Sequence, residues 1–89
     1  MHTIREKNAL LARVRRIRGQ VEAVERGLES ELGCADVLQL VASIRGALNG
    51  LTAELIEDHI KVHILDAPVA AERRRSADEL IDVVRTYLK

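Results

Sequence analysis

Residues 35–64 read ADVLQLVASIRGALNGLTAELIEDHIKVHI, and the spacing of the apolar positions in this stretch decides the fold. Val37, Val41, Ile44, Leu48, Leu51, Leu55 and Val62 make one helical stripe. Leu40, Ala47, Ile56 and Ile60 widen it towards a second face. A helix that is apolar on two sides must be covered on two sides, so this segment is the central element. Gly46 and Gly50 cost helix propensity and are expected to permit close approach of another backbone.

Upstream, the segment from about Thr3 to Glu29 carries Leu10, Val14, Ile17, Val21, Val24 and Leu28 at spacings of 4-3-4-3-4. That heptad stripe predicts a long helix packed along another. Downstream, about Ala70 to Leu88 carries Leu80, Ile81, Val84 and Leu88 and predicts a shorter third helix. Ser30 to Gly33 forms the first break, with Gly33 expected as the residue just past the helix end. Asp66-Ala67-Pro68 ends the second helix, because proline disfavours helix at the residue before it. Breaks this short make neighbouring helices antiparallel. The sequence therefore predicts an all-α, three-helix protomer forming one domain over residues 1–89, with helices too long and joints too few for a helix-turn-helix.

The chain has 89 residues, one Tyr and no Trp or Phe. A core built so thinly from Leu, Ile, Val and Ala calls for a partner, and an oligomer is expected. The single cysteine, Cys34, excludes an internal disulfide. With no apolar run resembling a signal peptide or a membrane span, a cytoplasmic protein with a reduced thiol is expected.

Formal net charge is zero, yet residues 1–20 hold six Lys or Arg against one acid. Such asymmetry points to a polyanion. On a helical wheel Arg5, Arg13 and Arg16 share one flank of the apolar stripe. Arg15 and Arg18 fall on the other, near Glu22, Glu25 and Glu29, where Arg18 and Glu22 are placed to pair. The Arg5/Arg13/Arg16 flank is the candidate phosphate-contacting surface. One Tyr is too few for base stacking along a single strand.

His2, Cys34, His59 and His63 are the candidate metal ligands, and they use every histidine in the chain. His59 and His63 stand at i and i+4, on one helix face. Cys34 opens the same helix 25 residues earlier, a separation of about 37 Å at 1.5 Å per residue. The thiol and the imidazoles cannot share a metal within one chain. The antiparallel first helix returns His2 towards the His59/His63 end. If two copies pair their central helices antiparallel about a two-fold axis, Cys34 of one meets His59 and His63 of the other. Imidazoles suit nickel, cobalt, zinc and copper, and one thiolate is too little for copper(I). A helix N-terminus favours the thiolate, the form that binds metal. The N-terminal amine beside His2 is a further candidate donor. A basic flank is unnecessary for a helical metal-storage module, and no nucleophile–base set, carboxylate pair or phosphate loop supports an enzyme.

Four stretches together resemble the CsoR/RcnR/FrmR family of bacterial repressors. They are Arg13-Val14-Arg15-Arg16-Ile17-Arg18-Gly19-Gln20, the lone Cys34, Ile44-Arg45-Gly46-Ala47-Leu48-Asn49-Gly50-Leu51, and His59-Ile60-Lys61-Val62-His63. The resemblance covers essentially the whole chain. The opening His2-Thr3-Ile4-Arg5 and the His/Cys/His/His set look most like the nickel- and cobalt-responsive branch. The resemblance implies an antiparallel dimer, a disc-shaped tetramer, double-stranded operator DNA as the polyanion, and repression of a metal-efflux operon that metal binding relieves. It matches Arg13 and Arg16 to DNA-contact positions and adds Arg45. The copper branch would have a second cysteine where His63 stands. The formaldehyde branch, which uses the cysteine with an N-terminal proline, is the alternative.

Overall fold

The heptad stripe of the first segment builds α1, Lys7–Glu29. The computed structural model describes residues 7–89, so the expected start at Thr3 lies outside the described residues. The two-faced segment builds α2, Cys34–His59, and α3 spans Ala70–Tyr87. Three helices and no strand are found among the described residues, an all-α chain as the periodicity predicts. None of these helices is long and apolar enough to cross a membrane.

The α1–α2 turn departs from expectation in its detail. Gly33 does not occupy the left-handed position; Glu31 does, at φ 57°. The Leu32 N–H donates to the Gly27 carbonyl at 2.8 Å, and the Glu31 N–H donates to that of Leu28 at 3.2 Å. This paired closure satisfies the last carbonyls of α1. Its register is set by packing: a Cβ on Gly27 would lie 3.3 Å from Leu32 Cδ2. Leu32 thus folds onto the one residue of that turn with no side chain. Gly33 serves instead as the N-cap of α2, its carbonyl accepting from Asp36 and Val37 at 3.0 and 3.1 Å.

The other end of α2 also differs. The sequence predicts α-helix through Ile64, whereas α2 stops at His59 and a π-helical turn covers Ile60–Leu65. The Asp66 N–H closes this turn on the Lys61 carbonyl at 3.0 Å, five residues back. Such wide turns are rare and concentrate at functional sites. Pro68 follows, and α3 begins with the Val69 carbonyl accepting from Glu72 and Arg73, both at 3.1 Å.

Two compact units form, one from α1 and α2 as far as Thr52, the other from Ala53 to Lys89. In the first, Arg13 lies against Gly50 and Gly27 beside Leu40, so α1 and α2 run antiparallel. Leu10 and Ile17 are the buried apolar residues. Alternate members of the same stripe, Val14, Val21 and Leu28, are exposed, as are Leu38, Val41, Leu48 and Leu55 on α2. Two apolar faces on α2 are present as expected, but their membership differs. Val37, Leu40, Ile44, Ala47 and Leu51 are partly covered, leaving the seven-residue row through Val41, Leu48 and Leu55 open. In the second unit the π turn packs on α3, and Arg73 Nη1 donates to the Ala67 carbonyl at 2.7 Å, bracing the intervening loop.

Candidate metal centre and nucleic-acid face

Cys34 is the first residue of α2, exposed and carrying a free thiol. The turn that sets it there is the Glu31 closure and the Gly33 cap. His59 is the last residue of the same helix. A 26-residue helix is about 39 Å long, so Cys34 and His59 mark its opposite ends.

His59 and His63 are brought together, with ring centroids 5.2 Å apart and planes tilted by 48°. Both are half-buried. His59 Nε2 lies 2.9 Å from the carbonyl oxygen of Ser76 on α3. A carbonyl only accepts, so Nε2 carries the proton and donates, which leaves the lone pair on Nδ1. A metal-binding imidazole is oriented in this manner, with one nitrogen donating to a fixed acceptor and the other presented to the ion. Ser76 was not foreseen from the sequence, because a backbone carbonyl has no sequence signature.

Among the described residues, no three His, Cys, Asp or Glu side chains of one chain gather in a metal-holding group. His59 and His63 offer two nitrogens that a metal could take, with no third donor of the same chain beside them among the described residues. His2 lies outside the described residues. Beside the imidazoles, Lys61 Nζ donates to Glu57 Oε1 at 2.7 Å. That hydrogen bond, and then the ammonium charge, hold the Glu57 carboxyl below the usual range. Glu57 is thereby committed to Lys61 on the solvent side.

Among the described residues, the candidate DNA contacts fall in the unit that ends at Thr52. Arg16 and Arg45 are exposed, while Arg13 is half-buried with its guanidinium against Gly50 of α2. Arg5 lies outside the described residues. Among the described residues the expected close backbone approach at the glycines is not seen: a Cβ on Gly46 would meet nothing within 4 Å, and Gly50 is covered by a side chain.

Comparison with known proteins gives a consistent picture. The sequence model of a family described as metal-sensitive transcriptional repressors matches residues 6–86. An uncharacterized protein in the bioA 5′ region of Serratia marcescens is 47% identical over 89 residues, covering 99% of this chain and 98% of that protein. Transcriptional repressor RcnR of Salmonella paratyphi B is 43% identical over 88 residues, with the same 99% and 98% coverage. Among solved structures, a glutamate-to-histidine variant of the formaldehyde-responsive regulator FrmR from Salmonella enterica serovar Typhimurium is similar, with TM-score 0.86 and 45% identity. That likeness covers 91% of this chain and 92% of the other.

Proposed function

The chain belongs to the family of metal-sensitive transcriptional repressors, and from that premise we propose that it binds operator DNA without metal and is released by nickel or cobalt, derepressing metal efflux. The family consists of repressors, so the protein is a regulator and not an enzyme. It acts as one repressor domain in the cytoplasm, on double-stranded DNA. The exposed Val14/Val21/Leu28 and Val41/Leu48/Leu55 rows support assembly into dimers and then a tetramer, since covering the exposed half of each such side chain contributes about 1 kcal/mol.

The observation that carries the metal reading is the His59/His63 pair, with His59 oriented by Ser76 so that Nδ1 is presented. Cys34 of a second copy supplies the thiolate, and His2 completes the set. Nitrogen-rich donation with one sulfur suits nickel and cobalt, and zinc is compatible. Arg13, Arg16, Arg45 and Arg5 contact phosphates. In this arrangement Cys34 belongs to the unit that holds Arg13, Arg16 and Arg45, whereas His59 and His63 belong to the other. A metal bound across two copies therefore ties the DNA-contacting unit of one to the histidine unit of its neighbour. It releases DNA by binding that tied form more strongly than the DNA-bound form.

A second reading has a specific support: the structural relative is formaldehyde-responsive, and Cys34 is exposed. In that reading Cys34 responds alone and His63 is dispensable. Mobility shift of the DNA upstream of its own gene, with and without nickel, cobalt or formaldehyde, tests both. Cys34→Ala and His59→Ala chains should each repress but ignore metal. Mixed after verified subunit exchange, they should regain metal release, because one of the two sites in a heterodimer recovers both residues. A mixture that restores nothing defeats the cross-chain site. A His63→Ala variant that still responds to formaldehyde, in a protein blind to metal, establishes the second reading.

A further inference from the structure

Gly50 sits inside α2, where glycine is the least favourable helix former other than proline. Its backbone does not require glycine, since no glycine among the described residues has positive φ. What requires it is the space beside it. A Cβ on Gly50 would lie 2.5 Å from Arg13 Nη1 and 3.7 Å from Cζ. The guanidinium occupies the volume that any other side chain would fill. Gly46, four residues earlier on the same helix, and Gly19 on α1 meet nothing within 4 Å. Gly27 and Gly33 face Leu32, Leu40 and Asp36 instead. Among the described glycines, Gly50 alone is covered by a cation, and that cation is half-buried where Arg16 and Arg45 are exposed.

We propose that Gly50 is the seat of Arg13, a positioning residue that holds its guanidinium ready for the DNA backbone. The inference rests on the reading of Arg13 as a phosphate contact. An unrestrained arginine side chain has large rotamer entropy, and a seated one has already surrendered part of it before phosphate arrives. The atom that a Cβ would strike is the far end of a flexible side chain, so an added methyl displaces the Arg13 guanidinium rather than a backbone, and with it the other interaction that Arg13 makes. It also improves helix propensity at that position. DNA affinity should therefore fall through Arg13 alone, a dependence that a purely structural glycine would not produce.

The test compares metal-free wild type, Gly50→Ala, Arg13→Ala and the double variant on a duplex carrying the sequence upstream of its own gene. Affinity is measured by fluorescence anisotropy across a salt series, with thermal melting in parallel. Gly50→Ala should still fold and melt cooperatively and bind about tenfold more weakly, with the salt slope falling by up to about 0.9 for each phosphate that is no longer neutralised. In the Arg13→Ala background it should change DNA binding no further. Gly50→Ser evicts the same group and gives an independent variant should the alanine protein fold poorly. Unchanged or tighter binding by these variants, or an equal loss in the Arg13→Ala background, overturns the seat. If Arg13→Ala binds as wild type, or wild type does not bind, the reading of Arg13 fails first. That outcome is seen without any Gly50 variant, and the seat's role in DNA binding falls with it.

Discussion

Replacing Glu31 by glycine should stabilise the protein, because Glu31 holds a backbone conformation that its Cβ opposes. Its φ of 57° puts it in the left-handed region, which costs a residue with a Cβ about 1–2 kcal/mol. Glycine removes that cost but has more freedom to lose on folding, which returns about 0.4–1 kcal/mol. The net gain is about 0.5–1 kcal/mol per chain, and for a domain of this size that raises Tm by about 3–6 °C. The hydrogen bonds from Leu32 to Gly27 and from Glu31 to Leu28 use backbone atoms alone and survive the change. Glu31→Ala is the control, since it removes the same carboxylate but keeps the Cβ. Melting is followed by far-UV circular dichroism at one chain concentration, because the Tm of an oligomer depends on it. Glu31→Gly should exceed both wild type and Glu31→Ala. Equal melting of the glycine and alanine variants would mean that charge, not the Cβ, sets the energetics of this turn, and the strain argument would be wrong.

Two further outcomes are expected. Leu48 is 45% exposed in the chain, so Leu48→Glu should leave helicity intact yet weaken self-association, by about 10- to 100-fold for each copy whose Leu48 loses its cover. Sedimentation that shows an unchanged assembly would move the interface off the Val41/Leu48/Leu55 row. Glu57, held low by Lys61, should titrate in metal-free protein below the usual glutamate value by NMR, and Lys61→Ala should raise it. A carboxylate with depressed pKa stabilises the fold at neutral pH, and that contribution disappears as pH falls through its folded value. The pair is exposed, so its share of acid stability is small.

The helices were legible because their stripes are long: six apolar positions at heptad spacing cannot be mistaken for a strand, and α1 ends at Glu29 as read. The caps were less legible. Gly33 looked like the helix-ending glycine, yet two helix ends compete for this turn. Leu32 packing on Gly27 fixes the first closure at Glu31 and leaves Gly33 to cap α2. The π turn was invisible because six residues are too few for periodicity to separate an α-helix from a wider one. His59, His63 and Cys34 were legible as residue types, and the first two do stand together. The hydrogen bond that orients His59 was not, since its partner is the main chain of Ser76. A helical wheel puts Arg13 on an outer flank; its length lets it reach back over α2, where Gly50 makes room.

The Ser76 contact decides which nitrogen of His59 a metal should take. Coordination through Nδ1 leaves the 2.9 Å hydrogen bond intact. Coordination through Nε2 would displace the proton and forfeit that hydrogen bond, although the Ser76 carbonyl lies within α3 and keeps its place in the helix ladder. A hydrogen bond of this kind contributes about 0.5–1.5 kcal/mol, or about 2- to 12-fold in affinity. Nδ1 is therefore favoured before any other donor is considered. Under the proposed metal reading, the same contact gives α3 a part in sensing. Its Ser76 carbonyl fixes the ring of His59, and its Arg73 holds Ala67 beyond the π turn that carries His63. Both imidazoles are thus referred to one rigid helix, so an ion that draws them together must either fit the spacing α3 sets or pull against it. A metal too large or too demanding in geometry loses one of these braces, whereas one that fits keeps both. If His59 and His63 hold the ion as proposed, selectivity depends on the two braces from α3 as well as on the histidines themselves.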